Sequence, residues 1–219
     1  MTRGDLRNLC LYWLDDLLGT YFTPVQVNFW LNNAQREVQK QLIQAGEYFY
    51  AHTVVTNTVT DYAEYALPSD FLKVHKLEMV ASGTGVNQNR QMIRPVTFVQ
   101  LDQVSQTSGF PAVYCLKQNC AILRPIPSQA WQMKLTYSYR VQDMTNDSDV
   151  PDVPIQYQEY VAVLATLDGF LKDNRDPSMV MTKKQYYLDL MKQDAQQRRI
   201  DAPRMVVNTM NGDNFGYLF

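Results

Sequence analysis

The chain has 219 residues, is 46% hydrophobic and 19% charged, and sets 20 Lys and Arg against 22 Asp and Glu for a formal charge of -2. That length suits one elaborated domain or a core domain with one insertion, and the near-neutral balance argues against a protein that holds duplex DNA by neutralising phosphates. Three cysteines, Cys10, Cys115 and Cys120, fit free thiols in a reducing compartment, and the longest apolar run, Tyr160 to Leu167, is far short of a membrane span.

Residues 2–18 carry Leu6, Leu9, Cys10, Trp13, Leu14 and Leu17, one face of a helix. Gly19 stands where a C-terminal cap is expected. Asp15 and Asp16 interrupt the early apolar stretch, so no signal peptide is expected, and both read as solvent surface. Thr23-Pro24 supplies an N-cap and a first-turn proline. The next helix places Val27, Trp30, Leu31, Ala34, Val38, Leu42 and Ala45 on one face and closes at Gly46. The short link predicts an antiparallel pair.

After Gly46 the pattern turns aromatic and β-branched. Residues 48–60, 62–67 and 71–80 read as strands, with a turn at Leu67-Pro68-Ser69-Asp70. Ser82, Gly83, Thr84, Gly85, Val86, Asn87, Gln88 and Asn89 are small and polar, and read as a mobile hairpin tip. Strands resume near Met92, then at 113–117 and 120–124, joined by a tight turn through Lys117-Gln118-Asn119. Residues 122–139 read as a further hairpin: an apolar run ending at Pro125 and Pro127, then alternating Trp131, Met133, Leu135, Tyr137 and Tyr139.

Residues 143–154 (DMTNDSDVPDVP) form an acidic, proline-punctuated loop, read as a solvated lead into the next helix. Helix 155–172 is apolar over most of its circumference and should be the most buried. A last helix over about 177–199 presents Met179, Tyr186, Tyr187, Leu190 and Met191. Residues 201–219 are a tail bearing Met205, Val206, Val207, Met210, Phe215, Tyr217, Leu218 and Phe219. That much apolar surface calls for a docking partner, either its own subunit, a neighbour or a different protein. The expected fold is α+β: a four-helix bundle (1–46 and 155–200) with an antiparallel β domain (47–142) inserted between helices 2 and 3, the acidic loop 143–154, and an extended C-terminal tail 201–219.

Chemistry is sparse. His52 and His75 are lone strand histidines, and no Ser or Cys sits in a nucleophile-elbow setting. Cys115 and Cys120 lack the further ligands of a zinc site. Asp143, Asp147, Asp149 and Asp152 lack the glycine and terminal Glu of a calcium loop. Five Glu and 17 Asp give so many chance carboxylate pairs that the glycosidase signature discriminates nothing. No catalytic residue, metal or cofactor is expected.

Trp30-Leu31-Asn32-Asn33-Ala34-Gln35-Arg36-Glu37-Val38 is similar to an "LNxAxxEV" helix, and Tyr65-Ala66-Leu67-Pro68-Ser69-Asp70-Phe71 to a "YxLPxDF" strand end. Gly109-Phe110-Pro111-Ala112-Val113-Tyr114, then Ile122-Leu123-Arg124-Pro125-Ile126-Pro127, then Leu135-Thr136-Tyr137-Ser138-Tyr139, complete an ordered set across about 24–195. In these motifs the chain resembles the head-to-tail adaptor (connector) proteins of tailed bacteriophages. The resemblance implies a structural virion protein of the neck, assembled in the host cytoplasm. It implies a ring, usually dodecameric, beneath the portal protein, which extends the DNA channel without binding the duplex specifically and offers a platform to the next tail or nozzle protein. The tail residues above would dock on the portal or a neighbour, and 82–89 would face the tail protein. Rival readings are a tail-tube or nozzle subunit, a virion-associated cell-wall hydrolase, and a DNA-binding module.

Overall fold

A computed structural model describes residues 1–46, 48–82 and 89–199. They form an α+β fold with five α-helices: α1 (Arg3–Trp13), α2 (Pro24–Ala45), α3 (Phe98–Asp102), α4 (Gln158–Lys172) and α5 (Ser178–Arg199). The five-residue α3, which sits inside the β region behind a Thr97 capping box, was not expected from the sequence.

Helix α2 follows its sequence closely. Thr23 Oγ accepts from the Gln26 N–H, Pro24 takes the first turn, and Gly46 ends the helix in the left-handed region at φ +92°, where a β-carbon would clash. Helix α1 is shorter than its apolar stripe suggested. It stops at Trp13, Asp15 turns to φ +57°, and Leu17 is left 70% exposed. Asp16 is no idle surface residue: its carboxylate accepts from the backbone N–H groups of Thr20, Tyr21 and Phe22 and so shapes the turn into α2. Helix α4 is the most buried, as expected, with Tyr160, Val161, Ala162, Val163 and Ala165 all fully covered. Helix α5 keeps part of the expected face, since Tyr187, Leu190 and Met191 face the core. Tyr187, Met191 and Ala195 are buried, whereas Met179 and Tyr186 are 88% and 62% exposed.

Helices α1, α2, α4 and α5 contribute to one hydrophobic core, centred on α4. The β region between α2 and α4 has its own. One sheet runs in the order β1 (Ala51–Asn57), β10 (Gln132–Tyr139), β3 (Phe71–Ser82), β4 (Asn89–Met92), all antiparallel. The other runs β2 (Glu64–Ala66), β8 (Cys120–Arg124), β7 (Val113–Lys117), β5 (Arg94–Pro95). Leu77, Met79, Met133, Leu135 and Tyr137 of the first sheet pack against Tyr114, Ala121 and Leu123 of the second. Leu101 of α3 meets Cys115 and Ile122 on the second sheet's other side.

Two expectations are corrected here. Residues 122–139 are not a hairpin: β8 pairs with β2 and β7, and β10 with β1 and β3, in different sheets. Pro125 and Pro127 have no N–H for a ladder, and both edges of β10 are already occupied. Nor is every pairing antiparallel, since β5 runs parallel to β7 and β6 (Ser108–Gly109) parallel to β9 (Ile126–Pro127).

Candidate interaction surfaces

The segment after β10 is bound to the helices residue by residue. Three amides of α2, spaced about one turn apart, each grip its backbone. Asn32 Nδ2 donates to the Met144 carbonyl and Oδ1 accepts from the Met144 N–H, at 3.2 and 2.9 Å. Gln35 Nε2 donates to the Gln142 carbonyl at 2.8 Å and Oε1 accepts from the Asp152 N–H at 3.0 Å. Gln39 Nε2 donates to the Tyr139 carbonyl at 2.6 Å and Oε1 accepts from the Val141 N–H at 3.3 Å. Gln35 and Gln39 are buried, so side chains here supply the bonds that a neighbouring strand would supply in a sheet. Gln35 and Gln39 interrupt the apolar stripe between Leu31, Val38 and Leu42. Polar residues on a core face were the one signal for this in the sequence.

The acidic loop is therefore a strap, not a solvated lead. Arg3 and Arg7 both hold Asp147, whose carboxyl they keep far below the usual carboxylate range. Arg36 takes Asp143 with one nitrogen at 2.5 and 2.6 Å from its two oxygens. Asp149 is lowered by the Asn146 and Thr145 N–H groups it accepts from, and Met144 and Val153 are buried.

Further polar contacts stitch α4 to α5. Glu159 accepts from Lys183 at 2.5 Å and from the Tyr187 hydroxyl at 2.8 Å, and Tyr157 donates to Asp194 at 2.5 Å. These groups are paired off with one another. His75 sits with Nε2 2.7 Å from Ser138 Oγ, and His52 lies edge-on to the Tyr137 ring. Cys10 is buried with its thiol pushed up to about 12 by desolvation. Among the described residues no three His, Cys, Asp or Glu side chains gather to hold a metal ion, and no helix is long and apolar enough to cross a membrane.

Other large apolar side chains are left exposed. The α1–α2 and α4–α5 turns lie together at the end of the helices away from the β region. Arg175 donates to the Leu14 carbonyl, and Lys172 to the Tyr21 carbonyl, with its ammonium 4.4 Å from the Tyr21 ring centre. This end displays Leu17, Leu18, Tyr21, Val25, Leu171 and Met179, of which Leu18 and Met179 are each 88% exposed. A groove of about 570 Å³ runs from it between α2, α4 and α5. So many exposed large apolar side chains at one end mark an association surface.

The tail residues Met205, Val206, Val207, Met210, Phe215, Tyr217, Leu218 and Phe219 lie outside the described residues, as do 83–88. Ser82 and Asn89 pair across the ends of β3 and β4, so that stretch joins two antiparallel strands. A family model described as "SU10 adaptor protein" matches residues 1–210, while no curated protein matches the chain. The chain belongs to the SU10 adaptor protein family, and is thus a phage structural adaptor.

Proposed function

From that membership we propose that the protein is the head-to-tail adaptor of its phage: a ring beneath the portal that extends the DNA channel and carries the tail-assembly platform. The family match over 1–210 carries the reading. The apolar end of the helices supports it, because surface of that kind needs a partner. In this reading residues 1–46 and 155–200 act as the helical wall of the ring, 47–142 as an inserted β domain and 201–219 as a docking tail. The tip at 82–89 faces the next tail or nozzle protein, and the duplex passes through the lumen without specific contacts. The subunit works by assembly, with no reaction of its own, in the neck of the virion.

Negative-stain electron microscopy of the protein, alone and mixed with its phage's portal, tests this. Rings on the tail-side face of the portal are expected. Particles that ignore the portal would overturn the adaptor reading and favour a nozzle subunit. Deleting residues 203–219 should abolish portal binding while leaving the circular dichroism spectrum unchanged. Full portal binding by the truncated chain would rule out the tail as the docking element.

A further inference from the structure

The groove between α2, α4 and α5 is mainly apolar, with Asn33, Glu37, Asp168 and Lys184 as its polar points, and Lys184 makes no ion pair with Asp168. Its walls include Leu164, Leu167, Leu171, Pro177 and Met181, with Leu171 69% and Met181 48% exposed. Asp168 stands among them. It is half-buried on α4, and no cation or hydrogen-bond donor of the described residues reaches it. Burial alone raises its pKa, as it should for a carboxylate without a counter-ion. A groove built this way fits a chain segment with one cation beside a short apolar run.

The sequence contains such a segment: Arg204-Met205-Val206-Val207, the only Arg or Lys beyond Arg199 followed directly by three apolar residues. We propose that residues 204–210 of a neighbouring copy lie in this groove, with Arg204 paired to Asp168 and Met205, Val206, Val207 and Met210 against the leucines. This rests on the ring reading above and assigns the tail two parts. The proximal part ties adjacent subunits together, and Phe215–Phe219 remains for the portal.

Reach favours a neighbour's tail over the chain's own. The groove lies against the start of α5, at Pro177 and Met181. Helix α5 continues to Arg199, so its end stands about 27 Å beyond Met181 and about 22 Å beyond Lys184, which also lines the groove, at 1.5 Å per residue. The five residues from Arg199 to Arg204 span at most about 18 Å. A chain could set its own Arg204 on its own Asp168 only with this link and the arginine side chain fully stretched, whereas a neighbour displaced along a ring meets no such limit.

The test is disulfide trapping in full-length protein carrying Leu171→Cys and Val206→Cys together, assembled on the portal, oxidised, and run without reductant. Wild type, whose Cys10 and Cys115 are buried and whose Cys120 is half-buried, serves as control together with the two single-cysteine variants, which should give no ladder. A ladder of covalent oligomers is expected. A monomer that migrates anomalously because its own tail is closed on its own groove would overturn the assignment to a neighbour. Asp168→Arg and Arg204→Asp should each cut the ladder about threefold, in line with a partly exposed ion pair, and the double reversal should restore it. Equal yields in all four would overturn the pairing, and this comparison stands even where a cysteine disturbs packing. Wild-type rings on the portal with no ladder would overturn this contact and leave the adaptor reading intact. No wild-type rings at all would overturn both.

Discussion

Gln39 is the residue on which the junction of helices and β region depends most directly. Its amide is 2% exposed and bonds the Tyr139 carbonyl and the Val141 N–H. Gln39→Leu keeps much of the volume but leaves both backbone groups buried and unbonded. Each costs about 1–3 kcal/mol to desolvate, so urea unfolding should show a loss of about 2–6 kcal/mol. A loss below about 0.5 kcal/mol would mean that water replaces the amide. Acid acts on this strap and on two contacts outside it. Asp147, Asp149, Asp16 and Glu159 are all held below their ordinary values by the Arg, Lys and N–H groups they accept from. A carboxylate lowered in the folded state contributes stability that is complete above its unfolded value of about 4 and disappears as pH falls through the folded value. Stability should thus be level from pH 7 to about 5 and fall steadily below about 4. Asp147→Asn, which removes the anion held by Arg3 and Arg7, should lower stability at pH 7 and flatten the fall. Parallel curves for the two proteins in thermal melts from pH 2 to 7 would show that Asp147 does not fasten the strap.

Where two elements approach closely, the limit is one glycine. A β-carbon at Gly169 of α4 would stand 2.6 and 2.8 Å from the two terminal carbons of Leu14, and Leu14 is fully buried, so it has little room to withdraw. Gly169→Ala gains about 1 kcal/mol of helix propensity and incurs about 1–3 kcal/mol of overpacking. A net loss of about 1 kcal/mol is expected in wild type, and a gain in a Leu14→Ala background. The same change in both backgrounds would disprove the contact. The elements differ in how far their sequences disclosed them. Helix α2, with Thr23 and Gly46 at its ends, and the β7–β8 hairpin, with its two-residue turn at Gln118 and Asn119, depend on contacts close in sequence and were legible. The partners of β10 were not. Alternation from Met133 to Tyr137 says which face is buried and nothing of which strand lies alongside, and those strands are about 60 and 80 residues earlier. On helix α5 the sequence placed Tyr187, Leu190 and Met191 correctly but added Met179 and Tyr186, which are apolar yet exposed, because periodicity cannot separate core from other apolar surface. The strap misled for the opposite reason, as its acidic composition resembles solvated loop while its partners are arginines in α1 and α2.

For the whole molecule, the charge balance constrains how a ring of these subunits would treat the duplex inside it. Duplex affinity comes largely from counterions released as Lys and Arg neutralise phosphates, with a salt slope of about -0.9 per phosphate contacted. Here 20 cationic residues meet 22 acidic ones, and Arg3, Arg7, Arg36 and Lys183 are already engaged by Asp147, Asp143 and Glu159. The subunit therefore carries no net positive charge with which to hold a duplex. A channel wall of that kind lets DNA pass, whereas a wall making several phosphate contacts per subunit would multiply them around the ring and hold the duplex fast. In fluorescence anisotropy with a labelled duplex, the assembled ring should bind only weakly at about 50 mM salt. Its slope of log affinity against log salt should stay near -1 or shallower, corresponding to about one phosphate contact. A slope near -6 would mean a ring that grips DNA, and the passive-channel part of the proposed function would then have to give way to one in which the adaptor retains the packaged genome.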